Sequence, residues 1–537
     1  MTTLAMRSLN PPIAARSWVY LVLLLLAATV WRIVLFNGPL GSDEVLYVAR
    51  ALDVATGTWS PANYNGALRY GFNIPAGVMV WLFGISEFSA NLWPLTCSVI
   101  ELAAVWWFCR SRFDDGTALM ATLMVALAPL HVAAATRLHA DAVASAFLTL
   151  SFVLFFESED RKSRKLAFLA GLAMGMVFWT KELLSLALFA FLPWPLVVRE
   201  LRTRWLWVIA GGLVMLFGHF LLMQILNGDP LHLFRTVLGQ IQRSFIGGSV
   251  GEDGAFYYFR YLFADVRHTA LLAPLAALGL VLGIRRNKEP AERNGLRQAA
   301  FWTISLISLL SFFPVSLSPL RLAMKQSNYL VLFVAPLAIL AAYGLSLAAP
   351  RLRQLLWAGM LALSLPLAML EQQSYQVFVS NSRAAVEFAR THPADQLLGA
   401  SNNAQLAYFE DMTRREPGLG LRVRQLPDDT DKPLPMPAPG GRLIVVEDRE
   451  TIGHANDDHR LAHIPSCWHE LGPLAPRGLG FSAELADGLA RGFSAIPAIG
   501  HRLATPFARL AAPQPARLWQ LPTDDPWCRN TASATTR

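Results

Sequence analysis

The chain has 537 residues, 54% of them hydrophobic and 16% charged, where a soluble protein carries about a quarter charged residues. Its mean hydropathy of +0.38 excludes an ordinary soluble protein. The net charge of +8 does not point to nucleic acid, because the basic residues sit in short clusters between apolar runs and not on one face of a folded domain.

The first apolar run, Trp18 to Phe36, follows Arg7 and Arg16. It is longer than the apolar core of a signal peptide and lacks a small-residue cleavage site, so it reads as an uncleaved first span. Further runs follow at 88–109, 117–135, 141–157, 165–180, 183–198, 205–226, 269–284, 299–315, 328–347 and 354–370. Each approaches the length that crosses a bilayer core of about 30 Å as a self-satisfied helix, which makes about eleven spans. Alternate sides then divide the positive charges unequally. One side receives Arg7, Arg16, Arg110, Arg112, Arg161, Lys162, Arg164, Lys165, Arg199, Arg202, Arg204, Arg285, Arg286, Lys288, Arg293, Arg297, Arg351 and Arg353. The short loops opposite hold Arg137, Lys181, Arg321 and Lys325. The crowded side is expected to be cytoplasmic, with the N-terminus inside and the tail outside, in a setting such as a bacterial inner membrane.

Two outer loops are long. In 37–87, the stretches 43–56 and 72–85 are too short or too polar to span and read as interfacial helices. The loop 227–268 holds Arg235, Arg243, Arg260, Arg267 and the aromatic cluster Phe256, Tyr257, Tyr258, Phe259, Tyr261. The tail, 371–537, changes character: 383–391 looks helical, Arg442–Glu447 reads as a strand, and 427–441 is rich in Pro and Gly. The expected organisation is a polytopic α-helical membrane domain, 1–370, followed by a non-cytoplasmic α/β domain, 371–537. Cys97 and Cys109 lie in an apolar run, whereas Cys467 and Cys528 lie in the tail, where an external setting permits a disulfide.

Gly41-Ser42-Asp43-Glu44-Val45-Leu46-Tyr47 opens the first outer loop with two adjacent carboxylates. Sugar transfer to a hydroxyl or amine needs a general base near the nucleophile, which makes Asp43 a candidate. A plain helix start is the competing reading, with Ser42 as cap and the acids favoured by the helix dipole. Thr136-Arg137-Leu138-His139-Ala140-Asp141, on the same side, supplies Asp141 as a second acid and His139 as a sugar or phosphate contact; a capping Asp and an interfacial His are the alternative. Arg69, Lys181, Arg321 and Lys325 fall on the side where orientation disfavours them, and a lipid phosphate leaving group explains such cations. Snorkelling is the alternative for Arg321 and Lys325, and mutual pairing for Lys181 and Glu182. Arg32, Glu101 and His219 lie within apolar runs as candidate intramembrane polar contacts.

These residues together resemble the GT-C glycosyltransferases, especially the group holding protein O-mannosyltransferases and the lipid A aminoarabinose transferase. The resemblance covers roughly 17–350. Asp43-Glu44 with Tyr47-Val48-Ala49 is similar to that family's acidic motif. Tyr70-Gly71-Phe72-Asn73-Ile74-Pro75 through Trp81-Leu82-Phe83-Gly84 resembles its second interfacial helix. Ala128-Pro129 through Arg137, His139 and Asp141 resembles its third-to-fourth span junction, Gly175 through Thr180-Lys181-Glu182 its G-x-x-x-x-T-K segment, and Lys325 with Tyr329 and Pro336 its late Lys-Tyr-Pro pattern.

The resemblance implies inverting transfer from a polyprenyl-phosphate-sugar to a glycolipid, glycan or protein acceptor of the cell envelope. It makes Asp43 the base and Asp141 a second site acid. Glu44, Tyr47, Arg69, His139, Lys181, Arg321 and Lys325 are then substrate contacts. Arg69 stands near a lipid-phosphate lysine whose usual Lys-Pro pair this chain lacks, and Glu182 replaces a small residue. Some relatives use a divalent metal, and no dense carboxylate cluster here calls for one. The rival classes are a transporter or flippase for a lipid-linked saccharide, which calls for midplane polar groups and internal repeats, and a non-catalytic membrane protein whose tail binds a partner. Dependence on lipid-linked sugar separates them.

Overall fold

Apolar runs flanked by charge leave the backbone no partner but itself, and every one of the eleven runs is helical. The computed structural model describes residues 15–59, 61–246, 254–286, 289–414, 416–427, 434–451, 461 and 464–522. Arg7, Lys288, Cys528 and 428–433 lie outside the described residues, as do the side chains of Arg16 and Arg243. The helices are α1 (Ala15–Val34), α2 (Asp43–Thr56), α3 (Tyr70–Phe83), α4 (Glu87–Arg112), α5 (Asp115–Leu127), α6 (Pro129–Ala135), α7 (Ala140–Arg161), α8 (Arg164–Thr180), α9 (Trp194–Val198) and α10 (Trp205–Asn227). There follow α11 (His232–Ile246), α12 (Tyr257–Phe263), α13 (Leu272–Arg286), α14 (Pro290–Phe312), α15 (Val331–Leu347), α16 (Pro350–Thr391), α17 (Ser401–Arg414), α18 (Leu419–Arg422), α19 (Ser482–Ser494) and α20 (Gly500–Ala511). Six helices among the described residues are long and apolar enough to cross a membrane, or seven if the pair α5 and α6, bent by 65°, is one span. The other apolar runs form shorter or more polar helices; 183–198, for example, divides into a 3-10 helix, Glu182–Phe191, and α9.

The chain divides into two compact units. The first comprises Met1–Phe36, Gly57–Ala76 and Asn91–Ala368. Its helices approach through small residues. A Cβ on Gly171 would lie 2.0 Å from the Val208 carbonyl oxygen, and one on Gly279 would lie 2.0 Å from that of Leu340. Contacts so close require glycine, the usual device where lipid gives no hydrophobic drive between helices. Helix α15 is buried along most of its length, and Phe152 stacks on Trp302 and Phe191 at 4.7 and 3.9 Å between ring centroids. The long loop after α10 is not irregular: it folds into α11 and α12, the second built from the aromatic cluster.

The second unit comprises Asn37–Thr56, Gly77–Ala90 and Met369–Arg537. Strands β1 (Pro314–Leu317) and β2 (Leu320–Leu322) form a hairpin in the first unit; β3 (Gln396–Gly399), β4 (Val423–Gln425), β5 (Leu443–Glu447), β6 (His469–Leu474) and β7 (Ala516–Gln520) form a five-stranded sheet here, ordered β4-β3-β5-β7-β6. The strand expected at Arg442–Glu447 is its central one. Alternation sends Leu397, Ile444 and Val446 into one core with Ala385 and Leu406, and sends Leu398, Leu443 and Val445 into another with Trp468. Cys467 is disulfide-bonded, while Cys97 and Cys109 are free.

Candidate functional site

The bend between α5 and α6 aims the chain at the 136–141 segment, and α7 begins immediately after it. Asp141, in the first turn of α7, is completely buried. Its Oδ1 accepts a hydrogen bond from Lys181 Nζ at 2.7 Å. Its Oδ2 accepts one from Asn328 Nδ2 at 2.8 Å and stands 2.7 Å from His139 Nδ1. Lys181 terminates α8 in extended backbone, which turns its side chain out of the helix register. The ammonium lies 5.0 Å from the centroid of the Tyr329 ring. The Tyr329 hydroxyl is buried and has no hydrogen-bond partner among the described residues.

A second ion pair is the chain neighbour of the first. Arg69 donates to Glu182 through Nε and Nη2, both at 3.1 Å, and Asn65 Nδ2 donates to the same carboxylate at 3.1 Å. This fork is the bidentate geometry that suits guanidinium to a planar anion. The adjacent residues Lys181 and Glu182 therefore each pair elsewhere, and the mutual pair considered from sequence does not form. Two of the four cations expected to meet a phosphate, Arg69 and Lys181, already hold a carboxylate, and Asp141 is first of all the partner of Lys181. Lys325, on the segment after β2, is buried and donates to the Ala323 carbonyl at 3.3 Å; Arg321 lies in β2 opposite Ser316.

The first unit thus joins Asp141, His139 and Lys181 directly and sets the Arg69–Glu182 pair beside them in sequence. Asn65 and Asn328 were not singled out from sequence. Asn328 carried a usable signal, as a polar residue at the mouth of the run beginning at 328.

Asp43, Glu44 and Tyr47 belong to the second unit. Gly41 has φ +75°, and a Cβ there would lie 2.8 Å from the Asn402 carbonyl oxygen. Asn402 Nδ2 donates to the carbonyls of Leu40 and Gly41 at 3.2 and 2.8 Å, so α17 fixes the turn that presents the acids. Glu44 is buried and folds back to accept from the Ser42 N–H at 3.1 Å, whereas Asp43 is half-buried. Tyr47 is buried one turn on. Among the described residues no three His, Cys, Asp or Glu side chains converge as a metal set.

Against this geometry the comparisons can be set. The profile of the dolichyl-phosphate-mannose-protein mannosyltransferase family matches residues 75–221, a stretch that includes His139, Asp141 and Lys181. The undecaprenyl phosphate-alpha-4-amino-4-deoxy-L-arabinose arabinosyl transferase of Yersinia enterocolitica is 26% identical over 283 residues, 51% of this chain and 48% of that protein. Its counterpart in Edwardsiella ictaluri is 28% identical over 174 residues, 30% of this chain and 31% of that one. The chain spans about half or less of the length of these curated relatives. The crystal structure of ArnT from Cupriavidus metallidurans bound to undecaprenyl phosphate superposes with a TM-score of 0.53 at 17% identity, over 81% of this chain and 93% of that one. The chain has the GT-C fold. The resemblance read from its residues is to this superfamily, and the GT-C fold accounts for a helical, membrane-type architecture.

Proposed function

We propose that this GT-C protein is a glycosyltransferase that moves a sugar from a polyprenyl-phosphate donor to a cell-envelope acceptor at the outer face of a bacterial inner membrane. The observation that carries the proposal is a lysine ammonium, buried at the end of α8 and held by Asp141, which also accepts from Asn328, near a tyrosine hydroxyl that has no partner among the described residues. A cation pre-positioned in a dry site is what a departing lipid phosphate requires, because charge grows on that leaving group as the glycosidic bond breaks. The printed names of the matched family and relatives share a polyprenyl-phosphate theme, dolichyl or undecaprenyl, and differ in the sugar. They support the donor class and leave the sugar and acceptor open.

In this reading the phosphate takes over Lys181 from Asp141, with Arg69, Arg321 and Lys325 as further anion contacts. His139, Glu44 and Tyr47 contact sugar or acceptor. Asp43 takes the acceptor's proton as its oxygen or nitrogen attacks the anomeric carbon, so transfer inverts. The unequal distribution of positive charge between the loops, read as about eleven spans with the N-terminus inside, supports an outer setting for Asp43, Glu44 and Asp141. The half-exposed Asp43 suits a base that must meet an incoming acceptor, and buried Glu44 suits a positioning role.

The test is transfer from a panel of radiolabelled polyprenyl-phosphate sugars, using membranes with equal amounts of wild type and Asp43→Asn. Loss of at least about 100-fold in the variant is the effect of a general base. Transfer by wild type with an unimpaired variant removes Asp43 from the mechanism but keeps the enzyme. No donor consumed by folded protein, with candidate acceptors present, favours a transporter instead.

A further inference from the structure

Deep in the first unit, three ionisable side chains that the proposed reaction does not use form one continuous chain. Arg32, on α1, is fully buried; its Nη1 donates to the Ala28 carbonyl at 3.0 Å and its Nη2 to His131 Nδ1 at 2.9 Å. A guanidinium only donates, so Nδ1 must accept and the imidazole proton sits on Nε2. That Nε2 then donates to Glu101 Oε2, 3.1 Å away on α4. The other oxygen, Oε1, accepts from Ser145 Oγ at 3.0 Å and Thr149 Oγ1 at 2.8 Å, both on α7. Glu101 and His131 are themselves almost wholly buried.

Two features give this chain a direction. Asp141, Ser145 and Thr149 are spaced i, i+4, i+8, so they lie on one face of α7. A helix whose second and third turns are hydrogen-bonded to one carboxylate cannot rotate about its axis without breaking both bonds, and rotation would carry Asp141 away from Lys181 and Asn328. His131, for its part, sits in α6, the short helix after the 65° bend that leads to His139. Ser145 Oγ also reaches the Val331 carbonyl at 3.3 Å, three residues beyond Asn328. The network therefore grips the helix that carries Asp141, the helix that leads to His139 and the start of the helix that follows Asn328.

We propose that Glu101, through Ser145 and Thr149 on one oxygen and His131 on the other, is a positioning residue that sets the rotation of α7 and so aims Asp141 at Lys181. The proposal rests on the transferase reading for its kinetic consequence but not for its geometric one. Misplacement of a reacting group by about 1 Å can cost about 100-fold in rate, and a small helix rotation is expected to cost about tenfold or more.

The test pairs Ser145→Ala with Thr149→Val, which removes both hydroxyls, preserves volume closely and leaves Glu101 and His131 in place. The expected result is a fall in kcat per folded molecule of at least about tenfold, with KM for the donor changed less, beside a lowered thermal midpoint in detergent because the buried Glu101 Oε1 loses both donors. Restoring the hydroxyl in Ser145→Ala with Thr149→Ser should recover most of kcat, which a merely structural loss would not predict. In a second readout, Asp141→Cys is cross-linked to Asn328→Cys by a short bifunctional thiol reagent in each background. The yield should fall with the hydroxyls removed and return with Thr149→Ser, with no donor present. Unchanged kcat and unchanged cross-linking overturn the inference. If wild type transfers nothing yet cross-linking follows the hydroxyls, the transferase reading fails and the positioning role stands.

Discussion

Helix α7 carries a polar cluster at each end, and the two differ in what they leave without a partner among the described residues. At its C-terminal end stand three carboxylates. Glu157 is met by Ser111, Arg112 and Arg161, each at 2.7 Å. Asp160 is met by Arg112 at 2.6 Å, Asn294 at 2.8 Å and Gln298 at 2.9 Å. Glu159 is met by Arg202 at 2.5 Å, by Arg204 and Trp205 at 3.1 Å, and by Trp194 at 3.3 Å. At the N-terminal end a single buried carboxylate, Asp141, meets Lys181, Asn328 and His139, and the Tyr329 hydroxyl is left without a partner among the described residues. The C-terminal cluster spends its three carboxylates on tying α4, α10 and α14 to α7; the N-terminal one keeps a buried hydroxyl in reserve. Buried polar groups left short of partners are costly unless something arrives to complete them. On the proposed function one end is scaffold and the other recognition, and this contrast can be broken by moving the wrong readout.

The largest effect should come from Arg112→Met. Arg112 is buried and serves Glu157, Asp160 and Gln298, so its loss leaves buried Glu157 to Ser111 and Arg161 alone and should cost about 1.5–3 kcal/mol of stability. Denaturation in detergent should show this, while transfer per folded molecule stays near wild type. A variant that is stable but inactive would end the scaffold assignment.

Lys181→Met should do the reverse in activity, lowering transfer about 100- to 1,000-fold, the scale set by losing one pre-positioned charge at a leaving group. Undecaprenyl phosphate binding, followed by radioligand retention, should weaken in parallel. Some stability should also go, since Asp141 loses its cation. Binding and transfer that survive the substitution would take the phosphate away from Lys181.

A smaller effect separates the two ends more cleanly. Tyr329→Phe deletes a hydroxyl that has no partner among the described residues, so stability should hold or rise by up to about 1 kcal/mol. Ser111→Ala at the opposite end deletes a bond to Glu157 and should cost about 1 kcal/mol. Activity should fall for Tyr329→Phe and be unmoved for Ser111→Ala. If both variants lose stability alike, the Tyr329 hydroxyl is satisfied in the working protein.

Much of this was legible before any coordinates. Apolar runs bounded by charge marked most helices of the first unit, though not α11 and α12 in the stretch read as a long loop, because in lipid the backbone must satisfy itself locally. Arg442–Glu447 declared a strand by its β-branched residues. The segments holding Asp141 and Lys181 were marked by their place on the sparsely charged side. What could not be read was pairing at long range. Lys181 and Glu182 are adjacent, yet one reaches back 40 residues and the other 113, because extended backbone at Lys181 sends neighbouring side chains to opposite sides. The Arg32–His131–Glu101 chain spans 99 residues, and nothing local in any of the three says that they meet. Helix counting also fell short of geometry: 269–284 and 183–198 are apolar enough to be noticed but form helices shorter than the runs suggested.

The smallest effect concerns a carboxylate–arginine pair of the tail whose arginine is exposed, where solvent should weaken what the pair contributes. In the tail, Asp395 accepts from Arg442 through its side chain at 2.6 Å and through its backbone N–H at 2.8 Å. Burial alone would raise the Asp395 carboxyl, but the hydrogen bonds and charge of Arg442 outweigh it and hold the group below its ordinary value. A carboxyl depressed in the folded state contributes stability that is present above its unfolded value and is lost as pH falls through the folded one. Thermal midpoints of the full chain, followed by the disulfide-bonded tail's tryptophan signal, should therefore drop on acidification below about pH 4. Arg442→Gln should flatten part of that drop while costing about 1 kcal/mol or less at neutral pH, as expected of a pair whose arginine is exposed. Buried Asp448 runs the other way: desolvation raises it despite bonds from Asn381 and Thr451. Its contribution is greatest in acid and declines as pH rises from the unfolded value to the raised folded one. Asp448→Asn, which keeps the acceptor oxygen and removes the charge, should therefore leave the acid limb set by Asp395 more visible. A variant pair with identical acid limbs would mean that neither carboxylate governs the tail's pH response.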